Sequence, residues 1–207
     1  MSVSRRTFLA AAAMTGVAAA IPFSSPAYAA TARSPLEDEI TRLLQRDERV
    51  LTGRPSHNGW EMEKVADDRG HIHTRPVPGT QLVGVQVRMG EVEVILACLI
   101  GRFHREVDEL RDGDVVGWRP PASVRASLPE SNLASGTAIL LRPGHYPAGQ
   151  RGGFFPLQTA ALREILADLD GVVRWGGDDP AVNEALFYVN VGPSDLHLPL
   201  TANRIRG

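Results

Sequence analysis

Apolar positions along this chain change their period several times, and each change predicts an element. Leu36, Ile40, Leu43 and Leu44 recur at helical spacing, which puts them on one face of a helix that should dock on something. Ser34, Pro35 and Glu37 supply a cap, a first-turn proline and a capping-box carboxylate for its start. Residues 53–80 hold Gly, Pro and His without a period and read as loops with short extended pieces. Val83, Val85, Val87 and Met89 then alternate with Gly84, Gln86 and Arg88, the pattern of a half-buried strand over 82–89. Val92, Ile95, Leu96, Leu99, Phe103, Val107 and Leu110 follow at helical spacing, closed by Arg111, Asp112 and Gly113. This is the strongest helix in the sequence.

A short strand is expected from Asp114 to Trp118, stopped by Pro120 and Pro121. From Ser131 to Arg142, small polar residues lead into an apolar run, as where a loop enters a buried strand over 137–142. Gly144 to Phe155 reads as a further loop. Pro156 then opens a helix with Leu157, Ala161, Leu162, Ile165, Leu166 and Leu169 inward. Short strands are expected at Val172 to Trp175 and Ala185 to Val191, with a last helix within Ser194 to Arg206 that carries Pro199. The order predicts an α+β class: a single domain whose small, mostly antiparallel sheet is packed with helices. Residues 30–80 read as an N-terminal helix and loop segment, and 81–207 as the body.

With 43% hydrophobic and 22% charged residues, the composition is that of an ordinary globular protein. A formal charge of −2 gives no case for nucleic acid, and none is expected as a partner. Cys98 is the single cysteine, so no internal disulfide forms. It falls in a helical pattern and reads as a small apolar side chain rather than a nucleophile. Arg5 and Arg6, an apolar run from Leu9 to Phe23, and Ala27-Tyr28-Ala29 read together as a twin-arginine export signal over 1–29. The run is short for a membrane span, and Pro22 and Pro26 interrupt its end. The expected product is extracytoplasmic, secreted or cell-wall associated, with no membrane anchor after cleavage. It keeps 20 basic against 24 acidic residues, a balance of −4.

Three segments, in order, resemble the VanY-like zinc D-alanyl-D-alanine carboxypeptidases, which trim peptidoglycan stem peptides. Ser131, Gly136 and Ala138 match the family's Ser-x-His-x-x-Gly-x-Ala-x-Asp. Val172 to Asp178 is similar to its strand and Trp-Gly-Gly-Asp turn. Asn183 to Asn190 is similar to its acid-x-Met-His-Phe-Glu-Ile-Asn strand, with Phe187 and Asn190 retained. The resemblance covers about residues 80–192 and implies the D,D-carboxypeptidase (hedgehog-like) fold. It also implies a zinc ion held by two His and one Asp, with a carboxylate as general base.

This sequence departs from the family at each of those residues. Leu133 and Leu186 stand at the His positions, Leu140 at the Asp, Asn183 at the base, and Tyr188 at the glutamate after the second His. No catalytic residue, no metal ligand and no cofactor is therefore expected, zinc included. The three leucines should converge on one pocket with Asn183 and Tyr188 at its edge. Candidate binding residues are Arg119, Arg125, Ser131, Arg142 and His145, the arginines because their forks match carboxylates. The expected function is that of a non-catalytic relative binding a peptidoglycan peptide or an envelope protein partner. The alternatives are a hydrolase with a metal relocated to His71 and His73, which share one side of an extended segment, and a purely structural envelope protein.

Overall fold

The computed structural model describes residues 34–207, the side chain of Arg46 aside, so the signal read at 1–29 lies outside the described residues. Helix α1 spans Pro35–Val50 and starts on the expected capping box. Glu37 N donates to Ser34 Oγ at 3.1 Å, and Ser34 N donates to Glu37 Oε2 at 2.8 Å. Its apolar face does not dock: Leu36 is 69% exposed and Leu44 59%. The helix runs directly into β1 (Leu51–Pro55) and meets the body chiefly through that strand, so only its last residue, Val50, is buried.

Strand β1 pairs antiparallel with β2 (Glu61–Glu63), and β3 (Ile72–Arg75) with β4 (Val85–Arg88). The second pair straddles residue 80, so the N-terminal segment and the body share backbone hydrogen bonds. The alternation read over 82–89 becomes strand only from Val85, and Val83 is exposed. Helix α2 (Glu91–Glu106) is the buried axis of the molecule. It ends before Leu110, and His104 Nδ1 accepts the amide hydrogen of Leu110 at 3.0 Å, which keeps that leucine turned into the core.

The main sheet is β5 (Val115–Val116), β6 (Ala138–Leu141), β8 (Leu186–Val189) and β7 (Val173–Trp175), in that order and antiparallel throughout. Helix α3 (Pro156–Asp168) precedes β7, and α4 (His197–Arg206) closes the chain. Leu157 is exposed rather than inward, because α3 buries the stripe of Leu162 and Ile165 and leaves its first turn in solvent. Pro199 falls in the first turn of α4, where its missing N–H has no intrahelical partner to lose. The class is α+β with small antiparallel sheets.

Period-two alternation divides the main sheet into two faces. Ile139, Leu141, Phe187, Val189, Val173 and Trp175 point to the helices. There, Phe187 meets Phe103 of α2 edge-on at 6.3 Å, and Trp175 meets Phe154 at 5.8 Å. Ala138, Leu140, Leu186, Tyr188 and Arg174 point the other way, where, among the described residues, loops and the 3-10 turn Pro129–Leu133 lie over them.

Candidate functional site

The loop-covered face holds the residues singled out by the resemblance. Leu140 of β6 lies directly opposite Leu186 of β8, a cross-strand pair on one face. Leu133 ends a 3-10 turn, Pro129–Leu133, that lies across both strands. Leu133, Leu140 and Asn183 line one cavity of about 190 Å³. Leu186 and Asn183 line an adjoining one of about 410 Å³, and the two cavities share Glu130 and Ala148 as walls. The three leucines are 2–5% exposed, so they form the floor of a cleft rather than its rim. Tyr188 is on the same face but directs its hydroxyl to Asp179 instead of into these cavities.

The chemistry of this floor is apolar. An aliphatic side chain has no lone pair for a metal, and the neutral amide of Asn183 takes no proton from a water molecule. Zinc therefore does not fit at these positions. Among the described residues, no group of three His, Cys, Asp or Glu is placed to hold a metal.

Buried hydrogen bonds hold the cover in place. Ser131, Asn132, Ser135 and Thr137 are all buried, and the loop Ser56–Trp60 bonds to each of them, while Asn132 Nδ2 has no partner among the described residues. His57 N donates to Ser131 Oγ at 2.9 Å and Asn58 N to Asn132 Oδ1 at 3.1 Å. Asn58 Nδ2 reaches both Thr137 Oγ1 (2.9 Å) and the carbonyl of Val189 (2.7 Å). Ser56 Oγ lies 2.9 Å from Ser135 Oγ. Gly136, at φ +68°, lets this loop turn against β4; a Cβ there would stand 2.8 Å from Arg88 N.

Beneath this loop Arg88 spans Ser135 O, Glu61 O and the buried carboxylate of Glu63, and stacks on Trp60 at 5.3 Å. Burial pulls the guanidinium's pKa down, and the adjacent Glu63 opposes that pull. The same Glu63 carboxylate accepts the backbone N–H groups of His71 and Ile72.

The candidate binding residues separate. Arg119 lines the smaller cavity, half-buried, with no hydrogen bond to the described residues. Arg125 is exposed and forks onto Glu130 at 2.8 and 3.2 Å, which holds the Glu130 carboxyl below the usual range. Ser131 is fully buried, and its hydroxyl donates to Leu128 O while accepting from His57 N. Arg142, at φ +49°, pairs with Asp108, and its other terminal nitrogen meets His145 Nε2 at 3.1 Å. These two tie a loop to the end of α2. His71 Nδ1 rests on Glu63 Oε1 at 3.2 Å and His73 Nε2 on Gly70 O at 3.1 Å.

Comparison with family models, curated proteins and solved structures finds no match. The resemblance to the D,D-carboxypeptidases therefore rests on the residues quoted from the chain. Sequence reasoning missed one part of the site. The Ser56–Trp60 cover had one available signal, the four small polar residues ahead of an apolar strand, which need partners once buried. Glu184 sits beside Asn183 yet faces a different loop, where it accepts Gly152 N at 2.7 Å and Gly153 N at 2.8 Å.

Proposed function

We propose that this protein is a non-catalytic relative of the zinc D,D-carboxypeptidases that binds a peptide in the cleft over Leu133, Leu140 and Leu186. The reading includes export through the twin-arginine route and a ligand drawn from peptidoglycan stem peptides. The observation that supports it is the floor: three aliphatic side chains and one amide, at the sequence positions that resemble the family's ligand and base positions, lie along two adjoining cavities. Above that floor the cleft stays open instead of closing into core, and Arg119 lines it with a guanidinium available to a peptide carboxylate.

The test combines zinc analysis, a D,D-carboxypeptidase assay, and equilibrium binding to stem peptides and purified cell wall. The expected result is peptide binding without turnover and without stoichiometric zinc, weakened by Arg119→Gln. The triple variant Leu133→His, Leu140→Asp, Leu186→His should then take up zinc. Binding to neither peptide nor wall, or turnover by the unaltered protein, overturns the reading.

A further inference from the structure

The cleft continues past the leucine floor. Leu128, Pro129, Pro180 and Ala181 wall both the cavity over Leu186 and a further cavity of about 380 Å³. The polar groups lining this last cavity are His57, Ser127, Arg174, Asp179, Tyr188 and Asn190. Asp179 is fully occupied: Arg174 Nε donates to Oδ1 at 2.8 Å, and the Tyr188 hydroxyl donates to Oδ2 at 3.0 Å. Its side chain is 6% exposed, so it serves as the fixed counter-charge that orients the arginine. Arg151 braces the same turn through the carbonyls of Gly177 and Asp179. Burial and then the neighbouring Asp179 push the Tyr188 hydroxyl well above the usual tyrosine range, so it stays a donor.

What remains uncommitted is a set of donors. Arg174 holds Asp179 through Nε alone, and its two terminal nitrogens have no partner among the described residues. The same is true of the His57 ring, the Ser127 hydroxyl and the Asn190 amide. His57 is presented there because its backbone N–H is fastened to Ser131 Oγ. A guanidinium pinned on one edge offers its other edge as a flat, pre-oriented fork, the geometry that matches a carboxylate. Arg174 and Tyr188 are cross-strand partners on the same face as Leu140 and Leu186, so this fork and the apolar floor belong to one rigid sheet.

We infer that the Arg174 end of the cleft is a second subsite, taking a side-chain carboxylate of a peptide whose other end lies toward Arg119. This inference rests on the peptide-binding reading and adds to it that the ligand is an acidic peptide read at two places.

The experiment uses the purified protein and two synthetic peptides ending in D-Ala-D-Ala, identical except that an internal acidic side chain is free in one and amidated in the other. The free acid should bind about tenfold tighter to the unaltered protein, the effect of one charge-assisted fork. Arg174→Gln should erase that ratio, and His57→Ala, which removes no hydrogen bond among the described residues, should reduce it. An acid-to-amide ratio that survives both variants overturns the inference while leaving peptide binding intact. If neither peptide binds, the peptide reading fails, and an NMR titration with N-acetylglutamate decides the subsite separately. Shifts at His57 and Asn190 that vanish in Arg174→Gln support a carboxylate site, and their absence overturns it.

Discussion

The two faces of the main sheet are built from the same strands and stabilised by different physics. On the helix side Phe187, Ile139, Leu141 and Trp175 are closed over by α2 and α3, with aromatic rings edge to face. On the cleft side Leu140, Leu186 and Tyr188 are just as buried, but their cover is loop. Loop backbone carries polar groups that burial leaves in need of partners. That cover is accordingly pinned by Asn58, Ser131, Thr137 and Arg88 rather than by apolar area. A face closed by helices is a core; a face closed by hydrogen-bonded loops can hold a cleft and admit a ligand.

The sharpest way to break this comparison uses neighbours that point to opposite sides. Phe187→Ala should cost about 3–5 kcal/mol, because the helices cannot collapse into the space. Leu186→Ala, one residue away, should cost about 2 kcal/mol, since it widens a cavity already open to water. Urea denaturation of both variants measures the gap, and equal losses would dissolve the distinction between the faces.

Next in size is the polar cover. Arg88→Met should cost about 3 kcal/mol by leaving the Glu63 carboxylate buried without its cation. Asn58→Ala should cost about 1–2 kcal/mol through three lost, half-buried hydrogen bonds. For both, hydrogen exchange should speed up first in the Ser131–Thr137 loop, not in α2. Uniform loss of protection across the molecule would argue that the cover and the core unfold as one.

The smallest effect is electrostatic. Arg125 holds the Glu130 carboxyl below its ordinary value, and Arg163 does the same for Asp178. A carboxyl depressed in the folded state adds stability that is full above the unfolded pKa and lost as pH falls through the folded one. The unfolding free energy should therefore decline from about pH 4 downward. Glu130→Gln should flatten that decline by less than about 1 kcal/mol, because solvent screens this exposed pair. An unchanged acid limb in the variant would show that the pair contributes nothing.

The elements were legible because their signals are local. Alternating valines before Gly90, heptad-like leucines after it, and Pro156 ahead of a leucine stripe are each read within a few residues, and β4, α2 and α3 follow. The floor was legible only in part: Leu140 and Leu186 do pair across their strands, but Leu186 opens on a neighbouring cavity from the one that Leu133 and Leu140 line, and Tyr188 turns to Asp179. What was not legible depends on contacts between distant segments. The exposed face of α1 has the same periodicity as a buried one, and only its position outside the body separates the two. Asp179, Arg174 and Tyr188 carry no motif, and an antiparallel register is what joins them.

By itself, then, the chain determined the class of its main elements and the aliphatic character of Leu133, Leu140 and Leu186, since side-chain chemistry does not change on folding. Tertiary structure decided that the small polar residues of 131–137 face the 56–60 loop, that Arg174 meets Asp179 through Nε alone with its terminal nitrogens left toward the cleft, and that Arg125 and Arg142 are paired through their terminal nitrogens. An arginine's availability depends on which carboxylate folding brings beside it, and no spacing along the sequence encodes that.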